Sequence, residues 1–370
     1  MTNEGFKLSV YLKVSILITG IALLIALLYI GRNIFIPIVF AAVLAIVLHP
    51  VVNFFVNRRI NRVISIIITL TITFLIIAAF GGLLLSQASR LSDSLPVLAD
   101  KFTGILNQAI AWISDHFDIN SQKMADWVSK MRSELVDGST AAIGNTLVSI
   151  GGLLVVLVLI PVYVFMLLFY HSILIEFIHR LFSSGLQSKV SQLVSETKRL
   201  IQQYLVGLII ETGIMAVLNT AALLILGIEY ALLLGILGAL LNLIRYIGGI
   251  VAVAMPMIVA LITKDSGWYP VYVLIAYSLI QLVDNNYIVP KVVASKVKLN
   301  ALFSLLAIIV GAAIWGIPGM FLSIPLLAVI KLICDHVEPL KPWGFLLGDT
   351  MPPVISIKAV FKKPAKGTIL

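Results

Sequence analysis

In the last third of this 370-residue chain, apolar segments too short to cross a bilayer meet at Gly/Pro breaks, and this constrains the fold more than any other feature. The breaks are Arg245-Tyr246-Ile247-Gly248-Gly249 and Trp315-Gly316-Ile317-Pro318-Gly319. A helix broken at bilayer depth frees carbonyls and amides that hydrocarbon cannot satisfy, so it persists only where it is buried in protein or lines a wet cavity. Composition makes the bilayer the relevant medium: 60% of residues are hydrophobic and 12% charged, against about 25% charged in soluble domains. The expected class is an all-α integral membrane protein with a polar path through it.

Long apolar runs at Ser15 to Ile30, Asn33 to Val56, Val63 to Leu85, Thr146 to Tyr170, Tyr204 to Gly227 and Trp268 to Val289 each approach the roughly 20 residues needed to cross about 30 Å of hydrocarbon. Lys7 and Lys13 precede the first run, and no small-residue cleavage site follows it, which reads as a retained signal anchor. Tyr230 to Ile244 and Ile250 to Ile262 are shorter, as are Ala301 to Trp315 and Met320 to Ile333. They read as two re-entrant hairpins, 230–263 and 301–333, approaching the midplane from opposite sides. The expectation is about six full transmembrane helices plus two broken-helix hairpins, some eight apolar segments in all.

Charge sets the orientation. Arg58, Arg59 and Arg62, then Arg180, Lys189, Lys198 and Arg199, then Lys291, Lys296 and Lys298 fall in loops that belong in the cytoplasm. Residues 86–145 carry seven acids against five Lys/Arg and fall outside. Leu98, Phe102, Ile105 and Leu106, and later Met124, Trp127 and Met131, recur there at helical spacing. The division expected is 1–85, the first three spans; 86–145, a small extracytoplasmic helical insertion, acting as a lid, as an oligomer contact or as helices lying on the bilayer; 146–170, the fourth span; 171–203, an amphipathic cytoplasmic segment; 204–335, the core with both hairpins; and 336–370, a basic cytoplasmic tail suited to anionic lipid.

Charges at the bilayer centre cost about 2.5 to 3.5 kcal/mol on insertion scales, so each needs a reason. Glu211 sits inside the fifth span, as a proton-exchanging carboxyl, as half of a structural ion pair or as a group facing a water-filled vestibule. Arg245 at the first hairpin tip keeps its charge and needs an anion, carbonyls or water. Asp284, Asn285 and Asn286 supply oxygens that suit a hard cation or a polyol, or simply close the segment as solvated groups at the inner interface. Asn242 is a further candidate for the path; with Asn219, Gln202, Gln203 and Gln281 it is of a kind that more often bonds a neighbouring helix. Gly248, Gly249, Pro290, Gly311, Gly316, Pro318 and Gly319 are candidate hinges or breaks. No His/Cys/Asp spacing implies a metal, no GxxxxGK loop implies ATP, and no nucleophile constellation implies catalysis. Neither a cofactor nor a nucleic-acid partner is expected. The single cysteine, Cys334, rules out an intrachain disulfide.

The string QLVDNNYIVPKVVASKVKLNALFSLLAIIVGAAIWGIPGMFLSIPLLAVIKLI, with LGALLNLIRYIGGIVAVAMPMIVALI before it, resembles the hallmark regions of the autoinducer-2 exporter family of bacterial membrane proteins. The resemblance extends over the chain in layout and is most specific over 200–335. It implies a multipass inner-membrane transporter, with both termini cytoplasmic, that exports the quorum-sensing furanone autoinducer-2 or exchanges sodium or lithium for protons. It also implies a homo-oligomer, with a pentamer favoured, and it raises the standing of Asp284 with its asparagines as a functional element. Where the family commonly has Pro-Tyr-Ile-Gly at the first break, this chain has Arg245-Tyr246-Ile247-Gly248. The reading from another class is a noncatalytic membrane scaffold that recruits partners through its outer segment.

Overall fold

The computed structural model describes residues 9–116, 130, 158–183, 185–244, 248–293 and 299–349. Every element among them is helical. The chain opens with α1 (Val10–Ile30), capped by the Ser9 hydroxyl, which accepts from the Leu12 amide, and continues into α2 (Arg32–Asn57). A tight turn, with Arg59 at φ 67°, leads into α3 (Arg62–His116). α4 (Val158–Phe169) meets α5 (His171–Arg180) at a 62° bend. The Arg62 guanidinium donates to the Leu168 carbonyl at 2.8 Å there, satisfying a backbone acceptor at the end of α4.

Two boundaries differ from the sequence expectation. The third span was expected to stop near residue 85, ahead of a separate outer domain. Instead α3 runs unbroken through 55 residues, about 82 Å. Hydropathy marks where lipid ends and not where a helix ends, and the apolar stripe through Leu98, Phe102 and Ile105 keeps helical spacing beyond Leu85. Residues 117–129 and 131–145 of that insertion lie outside the described residues. The second boundary, 203/204, falls inside one helix: the amphipathic face through Val190, Leu193, Val194, Leu200, Ile201 and Tyr204 runs into the fifth span, as its sequence pattern indicates, in α6 (Gln187–Ile225), 39 residues and about 58 Å long.

The first broken pair is α7 (Ala231–Asn242) and α8 (Gly248–Thr263), 12 and 16 residues long. At about 18 and 24 Å, neither spans the hydrocarbon alone. Arg245, Tyr246 and Ile247, which join them, lie outside the described residues. The arms touch at Gly248, where a Cβ would meet the Leu241 carbonyl. α9 (Tyr269–Val283) then widens into a π-helical turn, Asp284–Ile288, before the short α10 (Val289–Val292).

The second pair is α11 (Ala301–Trp315) and α12 (Ile317–His336), broken at Gly316, whose φ of +64° with ψ −141° is a backbone state close to glycine-only. Here the expected symmetry of two half-spans is not kept. α12 starts at Ile317 with Pro318 in its first turn and extends for 20 residues, about 30 Å, enough to cross. A short 3₁₀ turn, Glu338–Leu340, and α13 (Lys341–Leu347) close the described chain. Among the described residues, four helices qualify as spans by length and apolarity, five if the bent α4–α5 pair counts as one.

Three apolar clusters hold the bundle. One joins α6, α7, α8 and α9 through Leu223, Leu234, Val259, Ala260 and Val273. A second joins α2, α3 and α4 through Ala41, Ala45, Ile66 and Val164. The third joins α6, α11 and α12 through Leu205, Leu208, Ile308 and Ile324. Small residues permit the closest approaches, as membrane packing requires in the absence of a hydrophobic drive between helices. At the α11/α12 contact Gly311 and Gly319 face each other's carbonyls, and the Ser323 hydroxyl donates to Ala307 O at 2.8 Å and Gly319 O at 2.6 Å. These glycines therefore sit at a packing seam, whereas Gly316 alone makes the break. Gly311→Leu should lower thermal stability in detergent by at least about 1 to 3 kcal/mol, the usual cost of overpacking. Gly20→Leu, on a face with nothing within 4 Å, should leave it unchanged. Equal melting of the two variants would contradict the seam.

Candidate functional site

Four helices wall a cavity of about 740 Å³. Its sides are α6 with Glu211, Met215 and Asn219; α7 with Gly238 and Asn242; α8 with Gly249, Ala252 and Val253; and α9 with Tyr277, Ser278 and Gln281, continued by the π-helical turn with Asp284 and Asn285. The polar members recur at helical spacing. Glu211, Met215 and Asn219 lie four residues apart, and Tyr277, Gln281 and Asp284 follow at four and three, so α6 and α9 each turn one face to the cavity, with Met215 between the two polar groups of α6.

Asp284 is the centre of this arrangement. It is 1% exposed, and its Oδ2 accepts from Asn242 Nδ2 at 3.2 Å and from Gln281 Nε2 at 3.4 Å. The Asn242 contact ties the first broken arm to α9 across 42 residues of chain. Gln281 Nε2 also reaches Asn285 Oδ1 at 3.4 Å. Glu211 is 7% exposed on the facing helix and Asn219 2%. Asn219 Oδ1 and the Tyr277 hydroxyl, both buried, make no hydrogen bond to any described residue. Burying such groups without partners costs about 1 to 3 kcal/mol each, so a polar occupant of the cavity has groups to meet.

The π-helical turn aims these side chains. The Val289 amide donates five residues back, to Asp284 O, and Pro290, lacking an N–H, cannot restore the regular ladder at the next position. Such bulges re-aim side chains and recur at functional sites. Asp284 and Asn285 face the cavity as a result. Asn286 does not: it is exposed, and its amide donates back to the Leu282 carbonyl at 2.8 Å. The sequence grouped Asn286 with Asp284 and Asn285, and it is not among the residues that line the cavity.

Of the remaining candidates, Glu211, Asn242, Asp284, Asn285 and Gly249 converge on the cavity, while Arg245 lies outside the described residues. Gly311, Gly316, Pro318 and Gly319 belong to the α11/α12 seam and its break, and Pro290 follows the π turn. Sequence reasoning missed Tyr277, Met215, Ser278 and Gly238. Tyr277 had a signal, since it stands seven residues before Asp284 on the same helical face. A Cβ at Gly238 would stand in ordinary contact, 3.4 Å from Asn219 Nδ2 and 3.5 Å from the Tyr277 hydroxyl, so a longer side chain there would reach into the cavity.

Apolar helices of spanning length, a pair of short arms meeting at a break and a polar cavity beside that break define a multipass membrane protein of the transporter class. The profile described as "AI-2E family transporter" matches residues 17–338, and the chain belongs to that family. Among curated proteins it is similar to "Putative transport protein YrrI" of Bacillus subtilis (strain 168), 23% identical over 69% of this chain and 71% of that protein. It is also similar to a "Putative transport protein" of Borreliella burgdorferi, 31% identical over 30% of each chain. A third relative is "AI-2 transport protein TqsA" of Escherichia coli (strain K12), 30% identical over 30% of this chain and 31% of that one. The chain thus spans about seven tenths of the first relative and about three tenths of the other two.

A double-mutant cycle on Asn242→Ala and Asp284→Ala should return a coupling of about 0.6 to 1.7 kcal/mol in unfolding, the range for hydrogen bonds between membrane helices. Additive effects of the two substitutions would mean that the amide and the carboxylate do not meet.

Proposed function

We propose that this protein is a non-enzymatic secondary carrier or facilitated exporter of a small hydrophilic solute, and that the cavity between α6, α7, α8 and α9 is its substrate site. One observation carries the reading: a volume of about 740 Å³ within a mainly apolar bundle, in the range of small-molecule sites, is lined by both donors and acceptors. Asn242, Gln281 and the Tyr277 hydroxyl can donate. The carboxylates of Glu211 and Asp284 and the side-chain oxygens of Asn219 and Asn285 can accept. A polyhydroxylated solute presents both kinds of group on every carbon it exposes, and such a lining suits it better than it suits an apolar one.

Autoinducer-2 is a small hydroxyl-rich furanone, and the name of the Escherichia coli relative makes it the first cargo to test. A second reading rests on the two carboxyls in one cavity, which would also suit sodium or lithium exchanged for protons. On either reading the α7/α8 pair is the re-entrant hairpin, with its break at the midplane. On this reading the protein sits in a bacterial cytoplasmic membrane with both termini inside, an orientation that the basic loops support. Assembly as a homo-oligomer belongs to the same reading.

Flux in proteoliposomes under an imposed pH gradient tests it, with autoinducer-2, sodium and lithium each offered. Gly238→Leu, which fills the cavity from α7, and Asp284→Asn should stop movement of the transported solute, while Asn286→Ala should not. Undiminished flux through Gly238→Leu would place the path elsewhere. A signal carried by sodium or lithium alone would favour the exchanger.

A further inference from the structure

Away from the cavity, four basic side chains from four helices meet at the end of the bundle where α2 turns into α3. His49 lies on α2, Arg62 begins α3, His171 begins α5 and Lys198 lies on α6. The Lys198 ammonium is 3.3 Å from His49 Nδ1 and 3.5 Å from Nε2. The two imidazoles stand 4.8 Å apart, centroid to centroid. Lys198, His171 and Arg62 all lie within electrostatic reach of the His49 ring, and Lys198 and Arg62 also act on His171. All four are half-buried, and Arg62 reaches the chain just ahead of His171 by donating to the Leu168 carbonyl at 2.8 Å.

The described carboxylates on the same helices are engaged elsewhere. Glu176 pairs with Arg180 at 2.9 Å. Glu196 meets His336 at 3.3 Å and accepts from Gln192 at 2.8 Å. An ammonium only donates, so it meets His49 through an unprotonated ring nitrogen, and Asn53 Nδ2 lies 3.1 Å from the same Nδ1. The neutral ring relieves the crowding only in part, because Arg62 and Lys198 stay charged. A group with several acceptor oxygens and a negative charge completes such a cluster.

The surroundings say where that group comes from. Phe54 on α2 and Ile173 and Phe177 on α5 are exposed, as is Phe169 at the end of α4 just before His171, an apolar surface for acyl chains. Arg58 folds over the Phe54 ring at 4.4 Å, as a basic residue does at the boundary between apolar and polar phases. We propose that His49, Arg62, His171 and Lys198 form a binding site for the phosphate of an anionic membrane phospholipid, which bridges α2, α3, α5 and α6. Occupancy would fix the amphipathic start of α6 against α2. That same helix carries Glu211 into the cavity, so the lipid braces one wall of the polar site. The site does not depend on what the cavity transports.

Native mass spectrometry of the full-length protein tests this, with phosphatidylglycerol and phosphatidylcholine of matched chains as probes. Wild type should retain phosphatidylglycerol in preference to phosphatidylcholine. Lys198→Gln should lower that preference about fivefold, the effect of one basic residue near an anionic surface. Lys198→Arg should keep it, as should Lys101→Gln on the outer part of α3. If Lys198→Gln does not fold, His171→Asn should show the same loss. Equal retention of the two lipids by wild type, or an unchanged preference in both variants, would overturn the proposal. So would displacement of phosphatidylglycerol by inorganic phosphate, which would make the ligand a free anion.

Discussion

A carboxylate buried at 1% exposure among apolar helices must be met by donors, and much of the core answers to that requirement at Asp284. Insertion of such a group costs about 2.5 to 3.5 kcal/mol, while a hydrogen bond between membrane helices returns about 0.6 to 1.7 kcal/mol. One partner is therefore not enough. Asn242 comes from the first broken arm and Gln281 from the turn before, and the π-helical turn brings the carboxylate to both. Because Asn242 ends α7, the same contact locates the break itself. The cavity opens beside it, where the interrupted helices leave space and polar groups together.

Glycine seams and the long helices hold that geometry from outside. Gly207 brings α6 against α10, with a Cβ position 2.6 Å from the Val292 carbonyl, and Gly235 brings α7 against Thr220 on α6. The Trp315 indole donates to Leu28 O at 3.0 Å and ties the break of the second pair to α1. Tyr230, at the start of α7, holds a left-handed φ of 57°, and its hydroxyl donates to Ser94 on α3 at 2.7 Å. A strained residue persists where its surroundings fix it. Here the later turns of α3 hold the start of α7, so residues 86–116 and the core are joined through that hydrogen bond and through α3 itself. The basic cluster at the other end of α3 then has a structural counterpart: contacts at both ends of one long helix bear on the wall of the cavity.

What the sequence disclosed follows from what each residue type costs in lipid. Glu211, Asn242, Asp284 and Asn285 were legible because a polar group in an apolar run has few inexpensive explanations, and all four line the cavity. Tyr277, Met215 and Ser278 were not, since each is ordinary in a membrane helix and acquires meaning only on the face that Gln281 and Asn219 share. Asn286 does not line the cavity with its neighbours Asp284 and Asn285, and a local change of helical pitch cannot be read from composition. The Gly/Pro breaks were visible, yet their roles divided: Gly316 turns the chain, whereas Gly311 and Gly319 let α11 and α12 touch. Helix ends were the least legible, because hydropathy reports the lipid boundary. The extension of α3 to His116 and the union of the amphipathic stretch with the fifth span in α6 both cross that boundary.

The central claim is that this cavity is wet and lies on the transport path, and thiol accessibility at Ser278 addresses it most directly. With the buried Cys334 replaced by serine, Ser278→Cys places an exposed thiol on the cavity wall. A membrane-impermeant charged thiol reagent should modify it in the folded protein, transported solute should slow that reaction, and modification should block flux. A thiol at this position that stays unmodified, or one whose modification leaves flux intact, would contradict the account.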